Sequence, residues 1–274
     1  MSVNNLPKLI TFDGEARSGK GTIVSAIKDY LRDKCNYTVM LIDAGQVFRV
    51  LVVAATRSGI DIDDVAALDA FLGDESEAEK CVQLVKEVYH MTKDERDSLL
   101  YTNEVGANSA KIGARPLSQA FKDELLKKWL RDARAEGYQV VLLDGRALEE
   151  TGKMLEHEGL CDFILGLYFL CDPMVGACRT LGFANKEYEE LSPAEKNQVD
   201  LLVAEIEERN RKDRERAVQP IVPPAGAPTY RLPDAPVEFT ASIRPMVIFD
   251  TSAHLSKEAM GLPVARLTAL VLQK

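Results

Sequence analysis

One stretch, Gly14-Glu15-Ala16-Arg17-Ser18-Gly19-Lys20-Gly21-Thr22, limits the possible folds more than any other part of this chain. It reads G-x-x-x-x-G-K, followed by a glycine and a threonine. The apolar run Leu9-Ile10-Thr11-Phe12 precedes it and reads as a buried strand. After it, Ile23, Ile27, Tyr30 and Leu31 recur on one helical face. Strand, glycine loop and helix are the setting that a phosphate-binding loop requires. Glycines let backbone N–H groups turn inward around an anion. The helix N-terminus adds partial positive charge and unsatisfied donors. In this motif the lysine, here Lys20, reaches the outer phosphates and the hydroxyl of Thr22 ligates Mg²⁺. The competing explanation is a chance glycine turn. The lysine, the hydroxyl and both flanks weigh against it.

The rest of the chain supplies the matching architecture. Strand-like runs occur at Tyr37 to Ile42, Val140 to Leu143, Phe163 to Leu170 and Met246 to Phe249. Helical patterns separate them. Residues 60 to 100 are acidic and read as helices, with a capping box at Thr92-x-x-Glu95. Pro116 opens a helix with Leu117, Phe121, Leu125, Trp129 and Leu130 on its core face, and Gly137 ends it. Ser192-Pro193-Ala194-Glu195 is a complete helix start. Alternating strands and helices predict a five-stranded parallel sheet with helices on both faces. Ligands in such sheets sit at the carboxyl ends of strands. Asp13-Gly14, Asp43, Asp144-Gly145-Arg146 and Asp250 all fall at such ends. Seven prolines between Pro220 and Pro245 mark a functional loop or a surface insert.

Composition narrows the partners. The net charge of −9 argues against nucleic acid as a partner of the whole surface. The five cysteines form no C-x-x-C pair and predict reduced, mostly buried thiols of a cytoplasmic protein. Met1-Ser2-Val3-Asn4-Asn5 has no signal-peptide pattern, and the run Phe163 to Cys171 is too short to span a bilayer. No membrane partner is expected. His90, His157 and His254 belong to no constellation, and the acidic run Asp74 to Glu79 reads as a solvated face.

Phosphoryl transfer is mainly positioning and charge neutralisation, so a kinase needs cations for two phosphate-bearing partners. Arg49, Arg146 and the segment Arg209 to Arg216 offer them. On a helix, Arg209, Asp213 and Arg216 fall at i, i+4 and i+7, in a narrow arc of one face. The segment reads either as a solvated helix laced by ion pairs or as a cationic lid that closes over phosphates. The lid reading gains weight because the segment continues an apolar-faced helix and leads into the proline-rich stretch.

These residues together resemble the cytidylate kinases, nucleoside monophosphate kinases of the P-loop class. The matching stretches are Ile10 to Gly14, Ser18 to Thr22, Asp43 to Arg49, Thr102 to Val105, Asp144-Gly145-Arg146, Arg209 to Pro220 and Phe249 to Ser252. The resemblance implies one domain of the P-loop NTPase fold over residues 1–274. Its core would be residues 8–58, 102–185 and 246–274. A helical acceptor-binding insert would lie at about 59–101, a helical lid at about 186–219 and a proline-rich insert at about 220–245. It further implies transfer from ATP to CMP or dCMP, with Mg²⁺, by a cytoplasmic monomer. Carried over residue by residue, Gly14, Glu15, Ala16, Arg17, Ser18, Gly19, Lys20, Gly21 and Thr22 cradle the ATP phosphates. Lys20 and Arg209 act on the transferring group, and Thr22 faces the metal. Arg49, Arg146 and Arg216 hold the acceptor phosphate. Asp213, Asp43 and Gly45 line the acceptor site, as does Tyr101. Asp144 either orders metal-bound water or the acceptor, or caps a helix.

Four departures stand out. Arg17 replaces a glycine that the family usually has. Ala44 replaces a serine, Ala147 replaces an aspartate after Gly145-Arg146, and Tyr101 replaces an arginine that contacts the cytosine. The segment from Arg49 to Tyr101 also lacks the short strands of the family's insert. The losses concern base and sugar recognition, whereas phosphate handling is intact. A kinase of the same scaffold with another acceptor, or a nucleotide-binding regulatory protein with impaired catalysis, are the alternatives.

Overall fold

The computed structural model describes residues 6–216, 219–235 and 246–273. The chain begins β1 (Lys8–Gly14), α1 (Lys20–Asp33), β2 (Val39–Asp43), α2 (Ala44–Arg57), α3 (Val65–Gly73) and α4 (Glu75–His90). It continues α5 (Lys93–Leu100), α6 (Asn103–Gly113), α7 (Pro116–Ala135), β3 (Val140–Asp144) and α8 (Leu148–His157). Then come β4 (Asp162–Leu170), α9 (Pro173–Leu181), α10 (Pro193–Arg214), β5 (Thr229–Arg231), β6 (Met246–Asp250) and α11 (Lys257–Leu272). Contacts divide the chain into two compact units, 1–42 with 130–274, and 43–129.

The first unit is built on a sheet of order β2-β3-β1-β4-β6-β5. β1 pairs in parallel with β3 and β4, and β6 pairs in parallel with β4 and β5. The strand period of two explains how β1 serves both faces. Ile10 and Phe12 join Ile23 and Ile27 of α1 and Val264 of α11 in the main core. Asp13 points the other way, and its carboxylate accepts a hydrogen bond from Leu148 N at the start of α8, at 2.6 Å. Gly14 must be glycine: its φ is 147°, and a Cβ there would stand 2.6 Å from Phe169 O.

The sheet has six strands where the sequence predicts five. The extra one, β5, lies inside the proline-rich stretch and adds to the edge of β6, Thr229 opposite Ile248 and Arg231 opposite Asp250. Three residues with one apolar side chain give no periodic signal. Tyr230 packs its ring 6.1 Å from that of Phe249, and Ile221 and Leu232 are buried nearby in the sequence. The remainder of the stretch, 236–245, lies outside the described residues, as do 217 and 218 and the first five residues.

Apart from Asp43, the last residue of β2, the regular structure of the second unit is helical. Val50, Leu51 and Ala55 of α2 share a core with Leu68, Phe71, Leu84, Val88, Leu100 and Ile112. Asp43, Asp64, Asp74, Thr92 and Thr102 cap five successive helices, and the expected box at Thr92 and Glu95 is present. On α7 the expected face holds from Phe121 onward, with Leu125 and Leu130 buried and Phe121 and Trp129 half-buried, whereas Leu117 is exposed. The first turn of the helix lies outside the packed stripe.

Candidate functional site

The phosphate loop is held from three sides. Glu15 N donates to Phe169 O at 2.9 Å, Ala16 N donates to Asn210 Oδ1 at 2.8 Å, and Thr251 Oγ1 donates to Ser18 O at 2.8 Å. Gly19, at φ 79°, turns the chain into α1, whose first turn has no acidic residue to compete with an anion. The Ser18 hydroxyl is buried and has no hydrogen-bond partner among the described residues. Lys20 forms an ion pair with Asp144 and donates to Gly145 O at 2.5 Å. Asp144 is thus the counter-ion of Lys20. The cap of the following helix comes instead from Asp13, whose carboxyl is shifted upward in pKa by burial despite that hydrogen bond.

A cationic cluster lies in the same unit. Asp213, buried on α10, pairs through Oδ2 with Arg146 and through Oδ1 with Arg216 at 2.5 Å. Burial, and then the nearby charges of Arg209 and Arg216, push Arg146 down to about 9. Burial also lowers Arg216. Arg146 is thus repelled by Arg209 and Arg216, while Asp213 pairs with Arg146 and Arg216 and the nearby charge of Asp13 offsets part of the repulsion, an arrangement that a multiply charged anion would relieve further. Of the expected arc, Arg209 and Asp213 lie on α10, whereas Arg216 falls beyond the helix end at Arg214 and meets Asp213 by ion pair.

In the helical unit, Asp43, Arg49 and Tyr101 come together. The Tyr101 hydroxyl donates to Asp43 Oδ2 at 3.1 Å, and the Arg49 guanidinium lies 4.6 Å from the Tyr101 ring centroid. Arg49 also donates to Leu100 O at 2.8 Å. Burial, then the charge of Asp43, pushes the Tyr101 phenol up to about 12. A Cβ on Gly45 would approach Asp43 Oδ1 to 3.2 Å, so a side chain there would crowd the cap.

Two departures acquire a physical reading. Arg17 and Ala147 both adopt the left-handed region, with φ of 59° and 54°. The Arg17 side chain points outward while α9 passes beneath, where a Cβ on Gly176 would lie 3.2 Å from Arg17 O. Ala147 is the N-cap of α8 and makes no side-chain cap bond. Asn tolerates this backbone better than Ala, so Ala147→Asn should stabilise the chain by about 1 kcal/mol. Thermal unfolding reads this as a rise of about 3 °C in Tm. A fall would show that the left-handed backbone at 147 is not what costs stability there.

Sequence reasoning missed Asp13 as a cap, Asn210 as a partner of the loop and the pair of Arg214 with Glu15 at 3.3 Å. All three are contacts of long sequence separation with no local pattern. All five cysteines are free thiols, and all but Cys35 are buried. No helix among the described residues is long and apolar enough to cross a membrane.

The family profile described as cytidylate kinase matches residues 10–230. A cytidylate kinase of Aliivibrio salmonicida is 28% identical over 219 residues, covering 78% of this chain and 84% of its own. One from Pseudomonas fluorescens is 26% identical over 229 residues, covering 82% and 88%. One from Bacillus pumilus is 26% identical over 219 residues, covering 77% and 83%. The profile spans most of the sheet, the phosphate loop and the arginines of α10, and the chain belongs to the cytidylate kinase family.

Proposed function

We propose that this protein transfers the terminal phosphoryl group of ATP to a nucleoside monophosphate, CMP or dCMP first, giving ADP and the diphosphate. The observation that carries the reading is the cluster of Arg146, Arg209 and Arg216 in the same unit as the phosphate loop and Lys20. A protein that only bound one nucleotide would need the loop but not a second set of cations.

In this reading the loop from Gly14 to Thr22 seats the donor phosphates, and Lys20 neutralises charge on the transferring group. Gly145 O and Asp144 aim the Lys20 ammonium. Arg146 and Arg216 hold the acceptor phosphate, and Arg209 covers the group in flight. The family resemblance also assigns Arg49, Tyr101, Asp43 and Gly45 to the acceptor. Among the described residues, no three His, Cys, Asp or Glu side chains converge as metal ligands. Mg²⁺ binds through phosphates, water and one or two protein groups. The Thr22 hydroxyl at the start of α1 would hold it, with Asp144 reaching it through water. The ion would supply charge neutralisation across the donor phosphates.

Purified protein, ATP and a panel of CMP, dCMP, UMP and AMP test the reading through ADP release. CMP or dCMP should give the highest kcat/KM. A different preferred acceptor would favour the second reading, a same-scaffold kinase of altered specificity. Tyr101 bonded to Asp43, where the family has arginine, is the observation behind that reading. No turnover with any acceptor, despite ATP binding, would leave the regulatory role. Arg216→Ala should raise the acceptor KM about tenfold or more and the ATP KM little. Equal effects on both would remove Arg216 from the acceptor side. The family resemblance also favours a monomer, which sedimentation measures directly.

A further inference from the structure

Arg17 stands at a point of the phosphate loop that the fold fixes from both sides. Ala16 and Ser18 are buried, with Ala16 N donating to Asn210 Oδ1 at 2.8 Å and Ser18 O accepting from Thr251 Oγ1 at 2.8 Å. Between them the backbone at Arg17 is left-handed, with φ of 59°, and the side chain is exposed. Beneath it α9 presents Gly176, where a Cβ would stand 3.2 Å from Arg17 Cβ. A side chain at this point carries a conformational cost that glycine would avoid. Its charge is also left unmatched. Glu15 pairs with Arg214 and Lys20 with Asp144, whereas no hydrogen bond or ion pair engages the Arg17 guanidinium among the described residues.

We infer that Arg17 is a catalytic cation of the donor side, its guanidinium meeting the terminal phosphate that is transferred. This rests on the kinase reading above. A solvated surface arginine needs no strained backbone, and strain that the surrounding structure holds in place collects at functional positions. The loop's N–H groups and the N-terminus of α1 seat the inner phosphates without any side chain. An added cation is therefore of most use where charge shifts during transfer. Lys20 is directed by Asp144 and Gly145 O, and Arg17 is the remaining cation of the loop. Its planar fork offers two parallel N–H donors to phosphate oxygens, which an ammonium does not. In the step itself, an oxygen of the acceptor phosphate bonds to the terminal phosphorus as the bond to the bridging oxygen breaks, and that electron pair leaves with ADP. Arg17 exchanges no proton and stays cationic throughout.

Two substitutions in the full-length protein test the role. Arg17→Gly removes the cation and the strain together, so Tm should rise by about 3 °C while kcat falls about thirtyfold. Its Kd for ATP should weaken about tenfold and its Kd for ADP stay within about twofold, because only ATP carries the terminal phosphate. Arg17→Lys keeps the charge and the strained backbone but not the fork. Its Tm should match wild type, and its kcat should lie between those of wild type and Arg17→Gly. A residue that merely packed the loop on α9 would give a lower Tm in Arg17→Gly and equal weakening of ATP and ADP. That pattern, wild-type kcat in Arg17→Gly, or an Arg17→Lys protein no more active than Arg17→Gly would each overturn the inference. If the wild type turns over no acceptor, the kinase reading fails. The ratio of Kd for ATP to Kd for ADP in Arg17→Gly then still decides whether Arg17 meets the terminal phosphate.

Discussion

Lys20→Ala should lower kcat about 1,000-fold, the largest effect of any single substitution in the loop. The reason is local. Lys20 is the one cation among Gly14 to Thr22 whose side chain is anchored on both the turn after β3 and the end of β1, through Gly145 O and Phe12 O. Its ion pair with Asp144 fixes its direction and also holds a carboxylate in check. Removing the ammonium has two consequences. The transferring group loses a positive charge, and Asp144 is left beside the donor phosphates without its partner. The second effect weakens ATP binding, so KM for ATP should rise as well. Asp144→Ala combined with Lys20→Ala should recover part of the KM and none of the kcat, because only the repulsion is relieved. Steady-state kinetics with saturating acceptor gives both numbers. Wild-type kcat in Lys20→Ala would dismiss the loop as the donor site.

The parts of this molecule that sequence reveals are those with a local cause. The strand before Gly14, the glycine turn and the face of Ile23 and Ile27 form one continuous signal, and the structure reproduces it. The capping box at Ser192 and the proline at N1 fix the start of α10 in the same way. The strand β5 left no such trace, because its pairing partner lies beyond Pro233 and its own three residues have no period. Arg209 and Asp213 were legible as neighbours on one helix, although Arg216 falls past its end. The effect of Arg209 and Arg216 on Arg146 was not, since it depends on a turn after β3 meeting the end of α10. The departures Arg17 and Ala147 were legible as changes from the family pattern. Only the backbone shows that both fall at left-handed positions, where the loss of glycine or aspartate carries a conformational cost.

Asp213→Ala should be the most destabilising substitution in the cluster, by about 3–5 kcal/mol, the range for breaking a buried ion pair from one side. Asp213 is 4% exposed and both of its carboxylate oxygens are engaged, one by Arg146 and one by Arg216. Arg146 already lies below its ordinary pKa because it is buried and faces Arg209 and Arg216. Without the carboxylate, Arg146 and Arg216 lose the ion-pair partner they share, and Arg146 still faces the charges of Arg209 and Arg216. Thermal unfolding in dilute, low-phosphate buffer should show a Tm lower by about 10 °C. The deficit should shrink when phosphate or pyrophosphate is added, because an anion that binds only the folded cluster stabilises it by mass action. Asp213→Asn, which keeps one acceptor oxygen but no charge, should fall between wild type and Asp213→Ala. The anion response carries the argument. A cluster built for phosphate recovers stability with phosphate, whereas one that merely packs α10 does not. An Asp213→Ala protein with wild-type Tm, or one whose loss phosphate leaves untouched, would mean that these arginines are held apart by other groups and are not poised for an acceptor phosphate.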